Sequence, residues 1–529
     1  MRKIIAEKKL DVRLITFESG LDKTGGLGAF AGQISAALQR FTPTTVEVIA
    51  PLTPYIQKNY DLQPLADATS KVLRMLSNNF YWHESKYKKE IPQVLSLMTH
   101  NGVRHTFLGT TSQMQYNSDL PVRNQYSSNV NKYSAMKKNF LADLSVSNDL
   151  ISSNYQCRLG RYTALSDGFI NDVMLFNWLM TSYLLVSAGE NQILHFNEWH
   201  TAFYPIIQHL IDYKDRDFRT IFTLHNIFNP DINDYSDFFG IRSSSLPLNR
   251  QNPLDTAFQE FNTLATVSRG FSQELSRFKS IPKTVKQFDV VLNGYDEMYD
   301  LQTVLPQDKV VTSENISAIK KDQKTKLFQE LSLTNPERML LSFIHRWDPQ
   351  KGYLETLKVI DQFFLDNKFT DDIVLVMTCN SDDRDDVIIR NSLLEKYPDK
   401  IAIVDYSDTI AVKIFQASDL FLFPSPTHEP FGIQAVNSFA SGTPVLAHKT
   451  GGLVDTINPG INGLLFDKTE ADDNYLSAYR NKLEKMINLF KNGAWDLFNL
   501  YWNAYKSKED FTWEKAAQGY YDIYNQVIN

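Results

Sequence analysis

The sequence predicts an α/β protein of two Rossmann-like domains facing across a cleft, and three observations predict it. The chain has 529 residues, too many for one compact domain. Its second half holds a strand–loop–helix–strand–loop pattern: Leu420 to Phe423, then Glu429-Pro430-Phe431-Gly432, a helix from Ile433 to Ala440, a second apolar run from Pro444 to Ala447, and Thr450-Gly451-Gly452. Its first half opens the same way, with a strand from Val12 to Phe17, a glycine-rich stretch from Ser19 to Gly28, and a helix from Ala29 to Leu38. In both halves the unusual residues sit only in loops after strand C-terminal ends, which is where open parallel sheets bind ligands.

Taken in order, the first glycine-rich turn carries Lys23 ahead of Gly25 and Gly26. That order excludes a Walker P-loop, and the spacing fails GxGxxG. It still offers a flexible cation, close backbone approach and a helix N-terminus, which suit a diphosphate. Val46 to Ala50 is a second strand. Phe80 to His105 has the short alternating runs of a hairpin or sheet edge, and Gln113 to Ser166, rich in Asn, Ser and Tyr, reads as a long surface excursion. The whole of 53–166 is treated as an insertion. Val173 to Ala188 is a buried helix, shorter than the roughly 20 residues that cross a bilayer. The strand from Ile193 leads to Asn197-Glu198-Trp199-His200 and a helix from Phe203 to Leu210. The strand from Ile221 ends at His225-Asn226, where Asn226 is placed to hydrogen-bond a sugar hydroxyl. The first domain is assigned to 1–296.

In the second domain, 297–508, a helix is read from Lys320 to Leu331. The sheet opens with Met339 to Ile344, followed by Arg346 and Lys351-Gly352. Two cations at a strand end suit a phosphate-bearing ligand, whose negative charge they can stabilise. Arginine does so as a planar fork and lysine as a point charge. Ile373 to Thr378 and Ile401 to Asp405 are further strands, the second followed by Tyr406. Pro430 suits the first turn of a helix, Gly432 admits a ligand close to backbone, and Glu429 beside an anion site calls for a donor such as a sugar hydroxyl. Phe511 to Lys515 opens a last helix, and 509–529 is expected to return to the first domain.

Composition narrows the class. A hydrophobic fraction of 43% is ordinary for a globular protein, and a net charge of −7 argues against a dedicated nucleic-acid binder. The two cysteines, Cys157 and Cys379, form neither a disulfide framework nor a metal-ligand spacing. Charges interrupt the N-terminus before any long apolar run, so neither signal peptide nor membrane span is expected, and a cytoplasmic location is the default.

The stretch FPSPTHEPFGIQAVNSFASGTPVLAHKTGGLVDTI resembles the glycogen and starch synthase family, retaining glycosyltransferases of GT-B fold. So do the loop with Lys23 (the family's KxGGLxDV), the segment His195 to His200 (HxHDWH), Phe222 to Asn226 (FTxHN), Asn293 to Asp296 (NGxD), His345 to Gly352 (SRLxxQKG) and Phe511 to Trp513 (FSW). The resemblance implies transfer of glucose from ADP- or UDP-glucose with retention. It implies Glu429, His200, Arg346 and Lys351 as catalytic residues. Lys23, Gly25, Gly26, Asn226, Tyr406, Phe431, Gly432, Ile433, Thr450, Gly451 and Gly452 are implied donor contacts, with Tyr406 against the base. No metal or other cofactor is expected, since no DxD-like acidic pair stands beside the basic loops. The expected partners are a nucleoside-diphosphate sugar and an α-glucan or other acceptor. The chain departs from the family pattern at Ala29, where an aspartate is usual, at Asn197-Glu198, usually His-Asp, and at His345, usually Ser. Two of these lie on the acceptor side, so a non-glucan acceptor, protein or small molecule, is the alternative.

Overall fold

The computed structural model describes residues 9–22, 25–85, 87–99, 101–111, 136, 137, 139, 140, 144, 167–189, 191–211, 218–226, 253–275, 287–379, 381, 383–467 and 475–528. The chain divides into two compact units. The first contains a nine-stranded sheet: β1 (Leu10–Ile15), β2 (Thr44–Pro51), β3 (Gln63–Pro64), β4 (Pro92–Met98), β5 (Arg104–Thr110), β6 (Ile193–Asn197), β7 (Arg219–Leu224), β8 (Thr263–Thr266) and β9 (Asp289–Val290), in the order β3-β4-β5-β2-β1-β6-β7-β8-β9. Every pairing is parallel except β3–β4 and β4–β5. The central strands are buried along most of their length on both faces, with Asp11 of β1 exposed and Arg219 of β7 half-buried, as suits a parallel sheet covered on both sides. The helix Gly26–Phe41 packs on this sheet together with the last helix, Trp513–Ile528, through Phe30, Ile34, Trp513, Tyr520 and Tyr524. The closing helix is thus a component of the first unit.

The second unit carries a six-stranded, all-parallel sheet: β10 (Met339–Phe343), β11 (Ile373–Cys379), β12 (Ile401–Asp405), β13 (Leu420–Phe423), β14 (Val445–His448) and β15 (Gly463–Phe466), ordered β12-β11-β10-β13-β14-β15. The chain winds outward from β10 in one direction, then in the other, so the topological switch lies between β10 and β13. Its core joins Leu341, Phe343, Leu375, Met377 and Leu422 to Tyr479 and Leu483 of the helix Tyr475–Lys491.

Four expectations change. The helix read as Val173 to Ala188 runs Asp167–Ser187, 21 residues, so its length is not what argues against a membrane span. Phe80–Glu84 is a short helix capped by Asn79, and only 92–110 forms the hairpin, β4 with β5. Most of Gln113 to Ser166, including Cys157, lies outside the described residues. Within that stretch Phe140 and Leu144 are buried in the core of the second unit, so these positions are not surface. Finally, Pro430 does not begin a helix. The helix starts at Ile433 with Gly432 as its N-cap in the left-handed region, φ 84°. The β-carbon of any other residue at 432 would meet Leu453 Cδ2 at 2.8 Å, so the glycine answers a turn and close packing.

Candidate active site

Loops after three adjacent strands of the second unit, β10, β13 and β14, converge at the C-terminal edge of its sheet. The loop after β10 brings Arg346 and Lys351, and the loop after β13 brings Glu429. Lys351 Nζ lies 2.6 Å from Glu429 Oε2. Ser425 Oγ donates to the same carboxylate oxygen at 3.3 Å. Both members of the pair are largely buried, so each carries a desolvation cost that the other offsets. Arg346 is more open, its guanidinium 3.2 Å from Asp348 Oδ2. His345 is not a third cation. It is buried among Phe343, Phe421 and Phe423, and burial, with Lys351 next, holds it well below the usual imidazole range.

The loop after β14 presses directly against the Glu429 loop. Gly452 N–H donates to the Glu429 carbonyl at 2.8 Å. A β-carbon on Gly451 would lie 2.0 Å from that carbonyl oxygen, and one on Gly452 2.5 Å from Phe431 Cα. Thr450 Oγ1 donates to the Thr427 carbonyl at 3.3 Å. Thr450, Gly451 and Gly452 therefore shape the Glu429 loop from behind. Phe431 is buried, with its ring against Phe511, and Ile433 is half-buried. Tyr406, beyond β12, keeps 37% of its surface exposed and donates from its hydroxyl to Asp408 Oδ1 at 2.9 Å. Burial, then the Asp408 bond, pushes that hydroxyl up to about 12.

In the first unit Lys23 lies outside the described residues. Gly25 is the extended N-cap of the helix Gly26–Phe41, and Gly26 is exposed. Glu18, which the sequence reading did not single out, holds this turn, its Oε2 accepting from Gly28 N–H at 2.8 Å and Gly25 N–H at 3.2 Å. His200 is buried with its ring stacked on Phe17, centroids 4.9 Å apart, and on Trp199 at 4.2 Å. Burial lowers its pKa to about 3, so the ring is neutral at pH 7. The backbone N–H of Asn226 donates to Glu198 Oε2 at 2.7 Å, and Glu198 Oε1 accepts from Trp199 N–H at 3.0 Å. Glu198 sits at φ 69°, ψ 161°, a strained conformation for a side-chain-bearing residue, and burial raises its carboxyl to about 8. It clasps the β6 and β7 loops together.

The departures from the family pattern have structural consequences. Asn197 is fully buried and bonded to Ile15 O, His195 O and His225 Nε2. Beside half-buried Ala29, Phe30 packs on His225, centroids 4.3 Å apart. His195 is a core residue, held by Tyr524 OH and Thr223 Oγ1, each at 2.8 Å.

Two family models match the chain: glycosyl transferases group 1 over 323–488 and the starch synthase catalytic domain over 154–286. The glycogen synthase of Petrotoga mobilis is 29% identical over 390 residues, covering 66% of this chain and 76% of its own length. That of Thermosipho africanus is 27% identical over 364 residues, covering 64% and 72%. Among solved structures, the catalytic domain of starch synthase IV from Arabidopsis thaliana, bound to ADP and acarbose, superposes with a TM-score of 0.69 at 20% identity, covering 99% of this chain and all of that one. Sucrose-phosphate synthase from Thermosynechococcus elongatus gives 0.58 at 15%, covering 98% of each. The fold is that of the GT-B glycosyltransferases. Within that class the chain is glycogen/starch synthase-like. Among the described residues, no helix is long and apolar enough to cross a membrane.

Proposed function

We propose that this enzyme transfers glucose from a nucleoside-diphosphate glucose to an acceptor with retention at the anomeric carbon and without a metal ion. The observation that carries the reading is the Lys351–Glu429 pair at the switch point of a parallel sheet. The two side chains neutralise each other across 2.6 Å. With donor bound, Lys351 turns to the diphosphate beside Arg346, and Glu429 accepts from hydroxyls of the sugar. Lys23 is assigned to the same diphosphate. Charge that grows on the leaving group is then met by fixed cations in place of a divalent metal. Glu429 is assigned to holding the sugar and not to a carboxylate pair, about 5 Å apart, of the kind on which retaining glycoside hydrolases depend. Retention is instead assigned to attack on the leaving group's own face, the departing phosphate taking the acceptor's proton. Neutral His200 and Asn226 are assigned to hydroxyls of the sugar. A cytoplasmic location belongs to the same proposal.

The relatives' names support a growing α-glucan as acceptor. The alternative, a protein or small-molecule acceptor for the same donor, is favoured by Asn197, whose amide is already spent on the core. The test is a screen of ADP-glucose, UDP-glucose, GDP-mannose and UDP-N-acetylglucosamine, each with and without glycogen, with EDTA throughout. Glycogen-dependent incorporation from a glucose donor, lost in Lys351→Ala, is the expected result. Donor hydrolysis without incorporation would replace the glucan by another acceptor. Activity abolished by EDTA and restored by a divalent cation would overturn the metal-free mechanism.

A further inference from the structure

We infer that Lys137 is a positioning residue for the donor site, acting through Asp386 and Tyr353 on the loop that carries Arg346 and Lys351. The inference rests on the proposed function, since it assumes that this loop receives the nucleotide diphosphate.

Lys137 lies outside both stretches matched by the family models. It is nonetheless 5% exposed, and with Phe140 and Leu144 it belongs to the second unit. Its Nζ is 2.6 Å from Asp383 Oδ1 and 2.7 Å from Asp386 Oδ1. Burial works against its charge, but the two carboxylates outweigh that cost and hold it above the ordinary lysine range. Asp383 caps the helix Arg384–Lys396, accepting from the N–H groups of Asp385 and Asp386. Asp386 in turn accepts from Ser381 Oγ and, at 2.6 Å on Oδ1, from the hydroxyl of Tyr353.

Tyr353 connects this cluster to the site. It is the first residue of the helix Tyr353–Leu365 and follows Lys351-Gly352. It is 1% exposed, and its ring stacks on Trp347, centroids 4.6 Å apart and planes 16° off parallel. Trp347 adjoins Arg346. The loop 346–352 is therefore held from within by a tyrosine whose one polar atom bonds a carboxylate that Lys137 neutralises. Gly352 at φ 75° completes the turn, with Pro424 Cγ 2.9 Å from where a β-carbon would stand. Without the lysine, buried Asp386 and half-buried Asp383 lose the cation that bridges them, and the uncompensated charge loosens the hold of Asp386 on Tyr353. A merely structural ion pair would contribute stability and leave the site's affinity alone.

The experiment compares the unsubstituted protein with Lys137→Arg, Lys137→Met and the charge-balanced double variant Lys137→Met/Asp386→Asn. ADP and UDP affinity is measured by calorimetry, donor KM and kcat by turnover, melting temperature by scanning, and amide exchange over 346–356 by mass spectrometry. The expected result for Lys137→Met is about tenfold weaker nucleotide affinity and higher donor KM, kcat within about twofold, and faster exchange over 346–356. Lys137→Arg should restore affinity and exchange. If Lys137→Met does not fold, the double variant takes its place, with the same expectation and a melting temperature close to that of the parent. Unchanged affinity and exchange in a folded variant would overturn the inference, as would a lower melting temperature with donor KM unmoved. Should the unsubstituted protein bind neither nucleotide, the proposed function falls and takes the donor-site role of Lys137 with it, whereas nucleotide binding that Lys137→Met leaves unchanged overturns this inference alone.

Discussion

Lys351 and Glu429 show what one pair of side chains must do twice. They hold each other at 2.6 Å in a largely dry setting. Removing either leaves the other's charge uncompensated, which costs more than the pair itself contributes. Lys351→Met is expected to lower kcat by about 10²–10³-fold, the usual loss when a fixed donor to developing charge is removed. Glu429→Gln, which keeps shape and one acceptor oxygen, should raise donor KM while free ADP or UDP still binds. Steady-state kinetics beside nucleotide calorimetry separates the two. Glu198 makes a second residue-scale case, through pH. Its folded pKa, about 8, stands above the unfolded value, so the folded state holds a proton that the unfolded state has released between roughly pH 4.5 and 8. Its contribution to stability is therefore complete below about 4.5 and is lost as pH rises through 8. Glu198→Gln removes that dependence, so the melting temperature of the variant relative to the parent should climb between pH 5 and 8.5. A difference that stays flat would show the carboxylate charged throughout. His200, lowered to about 3, runs the other way: its contribution is present above about 6.5 and is lost as pH falls toward 3.

At the scale of elements, the site was legible wherever a strand end and a special residue stood together. The helix Ile433–Ala440 and the strand Leu420–Phe423 fall where the apolar pattern put them, because both are short, buried and bounded by turn residues. Glu429, Lys351 and Gly451 were readable as a group from their order along the chain. Their contacts were not, because periodicity says nothing about which loops touch. Gly451 and Gly452 read as a turn or a ligand contact, whereas the turn's backbone lies flush against the Glu429–Phe431 backbone. Lys137 was illegible for a related reason: a lysine beside Lys138 in a polar stretch gives no sign of the two aspartates it meets more than two hundred residues later. The glycine finding carries a prediction. Gly451 and Gly460 both have positive φ, 46° and 85°, but a β-carbon at 460 would meet nothing within 4 Å. Gly451→Ala should reduce kcat/KM at least tenfold by prising the two loops apart. Gly460→Ala should cost only local strain, about 1 kcal/mol, and leave kcat/KM within about twofold. Equal effects in the two variants would show that strain, and not loop contact, governs the site.

At the scale of the molecule, the last helix closes the first unit although nearly five hundred residues separate it from the helix it packs on. The sequence showed that a helix follows Phe511-Thr512-Trp513, and the resemblance implied its destination. The apolar stripe of Trp513, Ala516, Ala517, Tyr520, Ile523 and Tyr524 follows helical spacing, and the structure buries all six side chains. One of its polar atoms is also anchored, for Tyr524 OH meets His195 Nδ1 on β6 at 2.8 Å. Burying a large apolar side chain contributes roughly 1.5–3 kcal/mol, so Trp513, Tyr520, Tyr521, Ile523 and Tyr524 together rival the roughly 5–15 kcal/mol that holds a whole domain folded. A chain ending at Thr512 should therefore lose the cooperative unfolding of the first unit and, with it, transferase activity. The second unit, whose core among the described residues includes none from 513–528, should keep its own transition. Tyr524→Phe is the graded control. It keeps the ring but leaves a buried imidazole nitrogen without its partner, at a cost of about 1–3 kcal/mol. Scanning calorimetry of the three proteins reads this directly. A truncated chain that melts with the enthalpy of the full one would show that the first sheet is stable without the helix that covers it.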